Sequence, residues 1–103
     1  MDAIDTRSLQ QLDAAHHLHP FNDNAALAKK GTRILVKGEG AYVWDAEGNK
    51  LLDAFAGLWC VNAGHARKEI SEAVARQIAT MEYAPPFQMG HPTAFQLANL
   101  VAG

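Results

Sequence analysis

Between Thr32 and Phe55 the chain alternates short β-rich runs with glycine-containing turns, and this stretch constrains the fold more than any other. Arg33-Ile34-Leu35-Val36-Lys37, Ala41-Tyr42-Val43-Trp44 and Lys50 to Ala54 read as three strands. Gly38-Glu39-Gly40 and Asp45-Ala46-Glu47-Gly48-Asn49 read as the turns between them. Turns this short join neighbouring strands in opposite directions, so an antiparallel meander is expected. Such a unit is marginal in water unless its apolar face is covered.

Helical periods flank the meander. Residues 6–18 place Leu9, Leu12, Ala15 and His16 at helical spacing, with Thr6 or Ser8 as the N-cap. Pro20 ends that helix, because proline disfavours helical geometry in the residue before it, and a loop is expected through Phe21-Asn22-Asp23-Asn24. Ala56 to His65 is apolar, glycine-punctuated and aperiodic, as in a segment held against something. Residues 67–81 form the clearest helix, with Ile70, Val74, Ile78 and Met81 on one stripe and Glu69 suiting the helix dipole. Tyr83-Ala84-Pro85-Pro86 stops it. Thr93 is the expected N-cap of a last helix carrying Phe95, Leu97, Leu100 and Val101. Each of those four side chains would contribute about 1.5–3 kcal/mol if fully buried, yet few partners for them are visible. Three short strands and two full helices make a poor closed core, so the 103 residues read as a portion of something larger.

Charge narrows the function classes. Nine basic and eleven acidic residues are mixed along the chain, for a net charge of -2. No basic patch favours nucleic acid, and no block of like charge favours a membrane surface. Met1-Asp2-Ala3-Ile4-Asp5 is acidic with no apolar run behind it, so neither a signal peptide nor a spanning helix is expected. Cys60 is the only cysteine, which excludes an internal disulfide and makes a cytoplasmic setting the default.

Gly38-Glu39-Gly40 fails the GxGxxG pattern because position 43 is Val, which leaves a plain turn. Of His16, His17 and His19, only His16 and His19 have the spacing of two ligands on one helical face, and no metal is expected there. His65 and His91 each adjoin a glycine before a helix, so local hydrogen bonding at a helix start is expected of both. Cys60, between Trp59 and Val61, reads as a buried, inert thiol. Trp59 and Phe21 lie in aperiodic stretches, where an aromatic either belongs to the core or walls a pocket. Five lysines, Lys29, Lys30, Lys37, Lys50 and Lys68, all sit in polar runs, turns or helix starts. A lysine that holds a carbonyl cofactor covalently needs a desolvated pocket that lowers its pKa, and none of these positions promises one.

At this point the residues resemble a known family. His17-Leu18-His19-Pro20-Phe21, Gly38 to Asp45, Glu47-Gly48-Asn49-Lys50, Leu52-Asp53-Ala54, Gly57 to Asn62, Gly64-His65, Arg67 to Ile70 and Phe87 to Pro92 occur in order. They resemble the start of a class III aminotransferase of the ω-amino-acid or amine:pyruvate branch, and the Gly57-Leu58-Trp59 segment is the most specific element. The resemblance implies an α/β protein of fold-type I. Residues 1–56, the N-terminal helix and meander, would belong to the small domain, and residues 57–103 would be an active-site loop and first helices leading into the large domain. It also implies pyridoxal 5'-phosphate as cofactor, a small-molecule amine and a keto acid as substrates, and a homodimer. Phe21 and Trp59 match positions that line the substrate pocket, and Phe87, in the loop from Tyr83 to Gln88, matches a substrate-binding position that approaches the neighbouring subunit's site. The catalytic lysine and the cofactor's other contacts would lie beyond this region, so the chain alone is expected to be inactive. Two alternatives stay open: a short non-catalytic module that pairs with a full-length subunit, and an unrelated small β-rich ligand-binding domain.

Overall fold

The computed structural model describes residues 5–103, and the acidic start read at Met1 to Ile4 lies outside the described residues. The chain forms two compact units, Met1–Arg67 and Lys68–Gly103.

The first unit begins with α1, Thr6–His16. Its cap is Asp5, not Thr6 or Ser8: the Asp5 carboxylate accepts from the Arg7 and Ser8 amides and the Ser8 hydroxyl. A carboxylate there satisfies orphan amides and meets the positive end of the helix dipole. The helix stops two residues before the expected end, as His17 turns to an extended conformation. A second helix, α2 at Asn24–Lys30, occupies a stretch for which no element was expected. Its signals are local. Asp23 caps it by accepting from the Ala26 amide, three alanines favour it, and Gly31 closes it by donating its backbone N–H to Leu27 O.

The meander is present as β1 Leu35–Glu39, β2 Tyr42–Asp45 and β3 Lys50–Leu52, antiparallel and in the order β1-β2-β3. Its first strand starts two residues later than expected and runs through Gly38 and Glu39, which were read as turn. The turn proper contracts to Gly40 and Ala41. A register irregularity between Leu35 and Lys37 offsets β1 against Asp45 and Trp44. The central strand β2 is covered on both edges, and it holds Val43 and Asp45, the two buried residues among those described.

Asp45 joins β2 to β3. Its carboxylate accepts from the amides of Glu47 and Asn49 and from the Asn49 side chain at 2.9–3.2 Å. The Asn49 side chain is the main reason its pKa lies below the ordinary carboxylate value.

In the second unit α4 spans Lys68–Thr80 as the periodicity requires, and α5 spans Pro92–Ala102. His91 occupies the N-cap of α5 without a side-chain cap bond, and Pro92 supplies the first turn. Thr93, expected as the cap, donates its hydroxyl to Gln77 Oε1 of α4 at 3.0 Å. No helix among the described residues is long and apolar enough to cross a membrane.

Candidate functional site

The aperiodic stretch after β3 folds into α3, Ala56–Trp59, a single hydrogen-bonded turn of the wrong hand for L-residues. Its four φ angles are +52 at Ala56, +59 at Gly57, +64 at Leu58 and +66 at Trp59. The Trp59 amide donates to Phe55 O, and the Cys60 and Val61 amides both donate to Ala56 O, each at 2.9 Å. Left-handed backbone costs about 1–2 kcal/mol for each non-glycine residue. Three such residues, with Gly57 between the first and second of them, form a strained segment, and strain of this kind concentrates at functional sites. The turn leaves the Trp59 side chain 81% exposed.

Asp53 anchors the turn. Its Oδ2 accepts from the Gly57 amide at 2.9 Å and lies 2.6 Å from His65 Nε2. The His65 contact, followed by the Gly57 amide, holds the Asp53 carboxyl below its ordinary pKa. His65 is therefore not bonding at a helix start, as its sequence position suggested. Its main chain pairs with Gly40 in both directions, at 3.0 and 2.8 Å. Its ring packs over β1, where a Cβ on Gly38 would lie 2.8 Å from the His65 Cβ and Cγ. Gly38 is thus a point of close approach in a strand, not a turn glycine. Asp53, His65, Gly40 and Asn62 help to line an open hollow of about 390 Å³ beneath the turn.

A second cluster forms where α1 ends. Asp13 Oδ1 lies 3.1 Å from His17 Nδ1 and 2.7 Å from His19 Nε2, and the two ring nitrogens are 3.3 Å apart. This corrects the reading of the histidines. The helix ends at His16, so His17 and His19 face one carboxylate, and His16 is not part of the group. Asp13 stands four residues before His17, a spacing that was legible. The Thr32 hydroxyl donates to Asp13 Oδ2 and is the main cause of a lowered Asp13 pKa.

The remaining candidates are spread along the chain. Phe21 follows Pro20 at φ +54 and is fully exposed, and Phe87 in the second unit is 79% exposed. Cys60 is exposed, which overturns the expectation of a buried thiol; the left-handed turn carries its Sγ to Leu58 O at 3.3 Å. All five lysines are exposed. Lys37 lies over the Trp44 ring at 4.5 Å and Lys50 over the Tyr42 ring at 4.1 Å, both on the sheet surface. His91 Nδ1 is buried without a hydrogen-bond partner among the described residues.

The chain as a whole is similar to known proteins. The family model for class-III aminotransferases matches residues 25–102. A putrescine–pyruvate aminotransferase of Pseudomonas aeruginosa is 50% identical over 98 residues, covering 94% of this chain and 22% of that protein. A β-alanine–pyruvate aminotransferase of the same organism is 48% identical over 93 residues, covering 90% and 20%. The solved (S)-enantioselective omega-transaminase of Thermomicrobium roseum superposes with a TM-score of 0.92 at 42% identity, over 99% of this chain and 23% of that one. The omega transaminase of Pseudomonas jessenii in complex with PMP superposes with a TM-score of 0.85 at 29% identity, over 90% and 21%. The chain spans about a fifth of the length of the curated relatives it matches.

Proposed function

Because this chain belongs to the class-III aminotransferases, we propose that its protein moves an amino group from an amine or ω-amino acid to pyruvate or a similar keto acid. One observation carries the reading: two relatives nearly half identical to this chain differ in the amine they are named for and share pyruvate. Family membership removes the alternative of an unrelated small β-rich domain.

Pyridoxal 5'-phosphate is the family's cofactor, and when bound it supplies the electron sink that amino transfer requires. The residues of this chain do not fit a covalent anchor for it. An anchoring lysine must be desolvated, and all five lysines here are exposed, two of them lying over aromatic rings of the sheet. No step of the reaction is therefore assigned to these residues. Their role in the reading is to shape the substrate's surroundings. Asp53 and His65 hold the turn, the turn fixes the Trp59 backbone, and Trp59 and Phe21 serve as apolar walls for the amine's side chain, while Phe87 serves the site of the neighbouring subunit. A wall on strained backbone loses little order when substrate arrives. In the reading, residues 1–56 belong to the small domain and residues 57–103 lead into the large one. The working protein is a cytoplasmic homodimer, and this segment alone is inactive.

The test is an assay of the full-length protein that carries this segment. Loaded with pyridoxal phosphate, it is incubated with pyruvate and either putrescine or β-alanine, and alanine is measured. Alanine formation dependent on both substrates is expected. No amino transfer from an amine or ω-amino acid to pyruvate or to any other keto acid would overturn the proposal.

A further inference from the structure

The Asp13, His17 and His19 cluster lies outside the walls assigned to the substrate, and four segments of the first unit build it. Asp13 comes from the last turns of α1, and His17 leaves that helix in an extended conformation that turns its ring back toward Asp13. His19 is clamped at two points by Asn24, whose Oδ1 accepts from the His19 amide and whose Nδ2 donates to His19 O. Gln10 Nε2 donates to Thr32 O at 2.9 Å, which brings the Thr32 hydroxyl to the other oxygen of Asp13. The carboxylate is thereby oriented with one oxygen held and the other aimed between two imidazoles.

We propose that Asp13 Oδ1, His17 Nδ1 and His19 Nε2 form a binding site for a divalent transition-metal ion, zinc being the representative case. The separations carry the argument. Zinc bonds nitrogen and oxygen at about 2.0–2.1 Å, and the edge of a tetrahedron with such bonds is about 3.3 Å. The three ligand atoms stand 2.7, 3.1 and 3.3 Å apart, so an ion placed to one side of their plane reaches all of them with small side-chain shifts. Two imidazoles and one carboxylate suit zinc and its neighbours, whereas calcium and magnesium require more oxygen ligands. The outer contacts match those that orient metal ligands elsewhere, with Thr32 on the carboxylate and Asn24 on the His19 backbone. His17 is 64% exposed, which leaves the fourth position to water.

Zinc titrated into the full-length protein that carries this segment, in competition with a chromophoric chelator, tests the proposal. One equivalent should bind, and excess magnesium should not displace it. His17→Ala should weaken binding by about tenfold or more, since even outer-contact losses cost about 10–100-fold. His17 is exposed and bonds only within the cluster, so its removal leaves the fold in place, as far-UV circular dichroism can verify. Thr32→Val should weaken binding by about tenfold, and His16→Ala should leave it unchanged. Cobalt in place of zinc should give the intense visible absorption of a four-coordinate ion. The proposal is overturned if no stoichiometric ion is taken up or if His17→Ala binds as well as the parent. It is equally overturned if His16→Ala weakens binding as much as His17→Ala, which would mean loose chelation by a histidine run.

Discussion

Trp59 illustrates how one residue's surroundings fix what it can do. Four consecutive positive φ angles and an Asp53 anchor hold its backbone, while its ring stands clear of this segment. In a full-length aminotransferase carrying the segment, Trp59→Ala should open the pocket and leave the fold intact. The ratio of kcat/KM for a bulky amine to that for a small one should rise about tenfold or more. If Trp59 were a core residue, the same change would cost about 3–5 kcal/mol of stability and leave the ratio unchanged. Measuring both ratio and Tm separates the two. Asp53 makes a pH prediction. Its carboxyl is held below the ordinary value of 3.8, so its stabilising effect is complete above that value. The effect is lost as pH falls through the lower folded-state pKa. Asp45, Asp13 and Asp5 are lowered too, so the parent's acid profile is a sum. Asp53→Asn should reduce near-UV circular dichroism at neutral pH and narrow its difference from the parent as pH falls below about 4. Profiles that stay parallel throughout would show that the Asp53 charge does not hold the turn.

At the scale of elements, the meander and α4 were legible because alternation and a 3.6-residue stripe are local signals. The limits of β1 were not. Gly38 looked like a turn residue, and only the loop that packs over it shows why a glycine sits inside a strand. Gly38→Ala should push His65 away and break its paired bonds to Gly40, at a cost of about 1–3 kcal/mol. Thermal denaturation of the full-length protein reads this directly, and an unchanged Tm would mean that the loop does not bear on the strand. The helix α2, by contrast, is signalled locally. Its Asp cap, alanine run and closing glycine were all present in the sequence.

The whole molecule exposes much apolar surface. On α4, Ile70, Val74 and Ile78 are 50–60% exposed, and on α5 Phe95, Leu97, Leu100 and Val101 are 61–79% exposed. Contiguous apolar faces of this kind seek partners. Purified alone, the chain should elute as self-associated species and melt without a sharp transition. A monodisperse monomer with cooperative unfolding in light-scattering chromatography and calorimetry would contradict this. The exposed lysines lead to a chemical test at the same scale. After incubation with pyridoxal phosphate and borohydride reduction, intact mass should show at most scattered partial labelling, because all five lysines are exposed and none lies in a desolvated pocket. A stoichiometric adduct on one lysine would reveal a desolvated site that these residues do not otherwise present.

Sequence alone determined the meander, the helix after it and the kinship with class-III aminotransferases, because these rest on residue types at short, regular spacing. It also singled out Trp59 and Phe21 as aromatics outside any period. Only the tertiary structure decided the hand of the turn beneath Trp59, the bond from Asp53 to His65 and the gathering of Asp13, His17 and His19. The physical reason is common to all three. Each depends on where a helix or strand stops and how the chain then bends, and that is settled by contacts between residues far apart in sequence, such as His65 on Gly38 and Thr32 on Asp13.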